Sequence, residues 1–129
     1  MAALGTVVKR EGPYDSARKA SGVVVVMMNG GSGADLTTIV TAVTGKQIVI
    51  TGGSLVTDGG GAETLVIQSD ANVIYNLELP AAAAQFDFPK GLYTNAGEAL
   101  KFNKSAAGAA VSFNLEYVTV SDGQYLGLL

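Results

Sequence analysis

The stretch AVSFNLEYVTV, residues 110–120, decides the fold. Val111, Phe113, Leu115 and Tyr117 alternate with Ser112, Asn114 and Glu116. Side chains of an extended chain point to opposite faces in turn, so this is a strand with one dry and one wet face. A dry face needs a cover, and the same period recurs upstream. EALKFNKS (98–105) puts Leu100 and Phe102 on one face and Lys101 and Asn103 on the other. NVIYNLELP (72–80) alternates Val73, Tyr75, Leu77 and Leu79 with Ile74, Asn76 and Glu78, and Pro80 ends it because proline cannot donate to a ladder.

TLVIQS (64–69), VVVVMMN (23–29) and the short GTVVKR (5–10) also read as strands. LTTIVTAVT (36–44) has a helical face in Leu36, Ile39, Val40 and Val43, but its β-branched content favours a strand. Gly45 then predicts a hairpin between it and KQIVIT (46–51). The glycines of TGGSLVTDGGGAE (51–63) reduce Leu55 to Thr57 to a short or bulged strand between two loops. Eight to nine short strands, separated by turn residues and by no convincing amphipathic helix, predict an all-β antiparallel sandwich or barrel. Strands with one dry face further require two stacked sheets.

The 129 residues suit one domain. We expect an N-terminal arm with a first short strand over 1–22, the sandwich over 23–120 and an apolar tail over 121–129. Charged residues are only 15% of the chain, against about 25% in an average domain, which suggests a surface covered by partners or sister subunits. The net charge of −3 gives no argument for a nucleic-acid partner. Its distribution says more: Lys9, Arg10, Arg18 and Lys19 are half of the eight basic residues. With Glu11 and Asp15 the first twenty residues carry +2, and the rest carries −5. A basic arm on an acidic body can dock on an acidic neighbour.

There is no Cys and no His, so thiolate metal sites, disulfides and the commonest general base are absent. MAALGTVVKREGP predicts no secretory signal, and the run VVVVMM (23–28) is far below the ~20 residues needed to span a bilayer. GGSGADLTT (30–38) matches one calcium-binding nonapeptide through Gly30, Gly31, Gly33 and Asp35, but such sites need stacked copies. TDGGGAET (57–64) lacks the lysine and the helix of a phosphate loop, and Asp58 and Glu63 would repel an anion. No pair of acids forms a glycosidase constellation, and a serine nucleophile would lack its usual base. The residues thus predict no enzyme, no cofactor and no metal. The chemically varied FPKGLYTNAGEALKF (88–102) reads as a wide loop crossing between sheets, with turns at Pro89–Gly91 and at Thr94–Gly97.

VTAVTGKQIVITG, followed by NVIYNLELPAAAAQFDFPKGLYTNAGEALKFNKSAAGAAVSFNLEYVTV, resembles a pattern in structural proteins of tailed phages. Gly45, Lys46, Ile48, Pro89, Gly91, Leu92, Thr94, Ala96 to Leu100, Leu115, Tyr117 and Val118 carry the match. VSFNLEY departs from it where the pattern often has glycine. The resemblance implies a small trimeric jelly roll, similar to the tumour-necrosis-factor fold, acting as a capsid cement or decoration protein on the outer head surface. It implies a homotrimer bound to the major capsid protein, with no membrane partner. A fibre tip or carbohydrate-binding module is the alternative. Within that picture Lys9, Arg10, Arg18 and Lys19 are the expected shell contact, and Tyr125, Leu126, Leu128 and Leu129 the expected subunit contact.

Overall fold

The computed structural model describes residues 3–10 and 24–121. Among the described residues there is no helix, and nine strands form two antiparallel sheets. They are β1 (Val8–Arg10), β2 (Val24–Gly31), β3 (Thr37–Val40), β4 (Lys46–Thr57), β5 (Glu63–Ser69), β6 (Asn72–Leu79), β7 (Ala84–Asp87), β8 (Leu100–Lys104) and β9 (Val111–Ser121). One sheet runs β1-β2-β9-β4-β7 and the other β3-β8-β5-β6.

The order follows from folding one long antiparallel ribbon. Its tip is the β5–β6 hairpin, turned at Asp70, whose φ of 47° is left-handed, as aspartate tolerates. Going back from the tip, β4 pairs with β7, β3 with β8 and β2 with β9. Each pair is given to the opposite sheet from the one before. The extra pairings β4–β9 and β5–β8 then zip the sheets, and the result is the jelly-roll winding of a β-sandwich.

The core lies where the dry faces meet. Val111, Phe113, Leu115 and Tyr117 point inward from β9, and Leu100 and Phe102 from β8, in line with their alternation. Phe88, Phe102 and Phe113 form a ring cluster with centroids 5.9, 5.9 and 5.3 Å apart. Tilted and edge-on rings at this spacing add to the gain from burying their area.

Four sequence expectations change. The stretches 36–44 and 46–51 are not a hairpin: β3 pairs with β8, and β4 with β9 and β7, in opposite sheets. Gly45 turns the chain between layers. Leu55 to Thr57 is not a separate short strand. β4 is one strand of 12 residues, bulged between Ile50 and Gly52. Gly53, at φ 117°, lets β9 come so close that an added Cβ would lie 2.1 Å from the Asn114 carbonyl oxygen. In β6, a bulge between Gln68 and Ile67 of β5 skips Ile74 and throws Val73 to the outside at 56% exposure. Finally, residues 3–10 are woven into the sandwich. Leu4 is buried in the core, its N–H donates to Thr37 Oγ1 at 2.9 Å, and β1 adds to the edge of β2.

Stretch 88–102 crosses between the sheets and, before it does, lies along β4. Phe88, Gly91, Thr94 and Gly97 donate their N–H groups to the carbonyls of Gly53, Ile50, Ile48 and Lys46. Ile48 N–H in turn donates to the buried Thr94 Oγ1 at 2.9 Å. The loop therefore satisfies the first half of an edge that β7 covers only from Ser54 to Thr57.

Candidate interaction surface

Strand parity that sends the phenylalanines inward sends a different set outward. Val8, Met27, Asn114, Ser54 and Asp87 stand side by side across all five strands of the larger sheet. The next row holds Ser112, Val56 and Gln85, with the Ser112 hydroxyl donating to Asn29 Oδ1 at 3.2 Å. On the other side lie Val25, Glu116 and Gly52. At ~4.8 Å between strands the face is roughly 19 Å wide. These rows hold two carboxylates, Asp87 and Glu116, and Arg10, which registers opposite Val25 in the row of Glu116. Val8 and Val56 are 52% and 43% exposed.

Met27, Asn29, Ser54, Val56, Ser112 and Asn114 line a shallow groove of about 310 Å³ on this face. Its polar groups are amides and hydroxyls. Such groups bind by hydrogen bonding and shape, and none is a nucleophile with a base beside it. Among the described residues no group of three or more carboxylates could hold a metal ion, and no helix is long and apolar enough to cross a membrane.

The ends of the sandwich carry two polar clusters that hold loops. Glu63 and Lys104 form a buried ion pair at 3.3 Å, with side-chain exposures of 2% and 0%. Glu63 Oε1 accepts the N–H groups of Gly108 and Ala109 at 2.6 and 2.8 Å, and the Lys104 ammonium donates to the carbonyls of Ala109 and Ser32. Beside it, Asp58 Oδ1 accepts from Gly60 and Ala110 N–H, which hold its carboxyl below the ordinary value. At the other end the Ser69 hydroxyl donates to Glu98 Oε1 at 2.6 Å and Asn95 Nδ2 donates to the same oxygen at 3.0 Å. Ser69 first, then Asn95, lowers the Glu98 pKa.

Of the expected shell contacts, Lys9 is exposed on β1 and registers opposite Val26, while Arg10 registers opposite Val25. Arg18 and Lys19 lie outside the described residues, as do Tyr125, Leu126, Leu128 and Leu129. The ion pair went unread from sequence, although a signal existed. Lys104 has the same parity as Leu100 and Phe102 and so belongs to the dry face. Gly30 and Gly31 of the calcium-like nonapeptide belong to β2, and Asp35 forms an isolated bridge with Ala3.

No family model matches the chain, and no curated protein matches it. A solved structure titled as that of CapF with the inhibitor 3-isopropenyl-tropolone aligns over 97% of this chain, at 10% identity and a TM-score of 0.37. This chain covers 31% of that one, about a third of its length, and likeness at this level carries no argument about fold or function.

Proposed function

We propose that this protein works by binding alone, as a capsid cement protein of a tailed phage. It trimerises on the outer head surface and bridges major capsid proteins. The observation that carries the reading is the outer face of the five-stranded sheet, five strands broad, with Val8, Met27 and Val56 among amides and hydroxyls. Apolar side chains spread over such a face are worth most when another protein surface covers them. The phage-like segment around GK-I-V and P-GL-T-AGEAL supports the virion setting, and the jelly-roll winding is compatible with it. Sister subunits cover the flat face. Lys9, Arg10, Arg18 and Lys19 meet the shell, and three such contacts on one trimer gain by effective concentration, often 10²–10⁴-fold.

The test uses wild type and a Met27→Glu, Val56→Glu double variant, with mass by light scattering and co-sedimentation with undecorated heads. We expect a wild-type trimer that binds heads, less so as salt rises, and a folded variant that is monomeric. A wild-type monomer that ignores heads refutes the reading. A second reading, a fibre or carbohydrate-binding module, is favoured by the Asn- and Ser-lined groove. Against it, among the described residues the groove offers no aromatic platform, since its Phe113 belongs to the core. Binding on a glycan array without head binding would select that reading.

A further inference from the structure

Between β2 and β9 the ladder is broken at one place. Met28 registers opposite Phe113 and Gly31 opposite Val111, so Asn29 and Gly30 together face Ser112. The extra residue makes a bulge, and Asn29 and Gly30 are both exposed there. Gly30 takes a left-handed φ of 67°, and a Cβ built on it would meet nothing within 4 Å. Asn29 is also the one asparagine of six that precedes a glycine. The other five precede valine, leucine, alanine or lysine.

An asparagine followed by glycine carries its own nucleophile. The backbone nitrogen of the next residue can attack the side-chain carbonyl carbon, and glycine puts no side chain in the way. Two things oppose the attack: the proton on that nitrogen, and the charge that builds on the carbonyl oxygen. Ser112 touches both groups. The Gly30 N–H donates to Ser112 Oγ at 2.9 Å, and the Ser112 hydroxyl donates to Asn29 Oδ1 at 3.2 Å. A hydroxyl accepts and donates at once. The three groups therefore form a chain from the amide that must lose a proton to the oxygen that must gain one.

We propose that Asn29 is a site of self-deamidation, with Ser112 as its proton relay. Gly30 N bonds to Asn29 Cγ while its proton passes to Ser112 Oγ and the serine proton passes to Oδ1. The neutral adduct then gives its hydroxyl proton to Nδ2, the Cγ–Nδ2 bond breaks, and ammonia leaves a cyclic imide. Water opens the imide at either carbonyl, which yields aspartate or isoaspartate. In sum, a side-chain amide and water become a carboxyl group and ammonia. The reaction belongs to the free subunit, where water reaches the bulge. Its product puts a carboxylate into the groove lined by Met27, Ser54 and Val56. Where that face meets a sister subunit, the new charge opposes assembly. That consequence rests on the binding reading above; the modification itself does not.

The test holds dilute purified protein in warm, mildly alkaline buffer and follows it by peptide mapping, with isoaspartate read by enzymatic methylation. A gain of one mass unit and an isoaspartate signal should appear in the peptide that contains Asn29. They should come at least about tenfold sooner than at Asn76, which is also exposed but precedes leucine. Ser112→Ala and Ser112→Val should each slow the change at least about fivefold, less than the full gain that a positioned acid–base group supplies. Ser112→Thr has the shape of the valine variant and keeps the hydroxyl, so it should retain the wild-type rate. The melting midpoint of each variant checks that the fold is kept, and either hydroxyl-free variant suffices if the other fails to fold. An Asn29 that stays an amide, or reacts no sooner than Asn76, overturns the site. Hydroxyl-free variants that react as fast as wild type, or faster, overturn the relay.

Discussion

Lys104→Met is the most informative single change in this molecule. It removes the cation from a pair whose side chains are 0% and 2% exposed, and leaves Glu63 buried beside an apolar chain of similar length. The carbonyls of Ala109 and Ser32 lose their donor at the same time. Breaking a buried pair from one side costs about 3–5 kcal/mol, since the remaining carboxylate keeps the Gly108 and Ala109 N–H groups but loses its counter-ion and gains no water. For a domain of this size that lowers the melting midpoint by roughly 10–20 °C. Adding Glu63→Gln to Lys104→Met should recover part of the loss. Gln Oε1 can still accept from Gly108 and Ala109 N–H, and no buried charge remains. Equilibrium urea unfolding of wild type, both single variants and the double variant gives the coupling directly. A cost for Lys104→Met below about 1 kcal/mol would refute the reasoning, because it would place the pair among solvated surface bridges. So would a double variant no more stable than Lys104→Met alone.

Phe102→Ala should cost about 3–5 kcal/mol in the same assay, since its fully buried ring touches both Phe88 and Phe113. Gly53→Ala should cost about 2 kcal/mol or more, because the new methyl meets the Asn114 carbonyl at a left-handed φ; a neutral result would mean that β4 and β9 can separate there. Stability should also fall in acid. The carboxyls of Asp58 and Glu98 are held below their ordinary values in the folded state, so their contribution is complete above about pH 4.5 and fades as pH drops through the lowered values. Asp58→Asn with Glu98→Gln should flatten the acid limb of a pH–stability curve, and an unchanged limb would assign the acid sensitivity elsewhere.

The segments whose partners are neighbours in period were the legible ones. β9 and β8 show their inner faces in the alternation of Val111, Phe113, Leu115 and Tyr117 and of Leu100 and Phe102, because the strand period of two is a local property. Two of the four misread stretches hold a bulge that changes the period; the other two were misread in their pairing partners. Ile74 breaks the alternation of β6, and the irregularity at Ile50–Gly52 made β4 look like two pieces. A bulge is placed by the opposing strand, and that strand is far away in sequence. The five-strand face was unread for the same reason: Val8, Met27, Asn114, Ser54 and Asp87 are scattered along the chain and meet only through register.

The amino-acid sequence by itself determined that this is a two-layered antiparallel β protein, because alternation, β-branched content and turn residues act within a few residues of one another. It also determined that no cysteine or histidine chemistry is present. Only the tertiary structure decided which strands share a sheet, that Lys104 and Glu63 close one end as a buried pair, and that Ser112 of β9 sits opposite Asn29 and Gly30 of β2. Those facts depend on pairings between segments tens of residues apart. Their energies are set by the fit of the assembled layers, which no local pattern encodes.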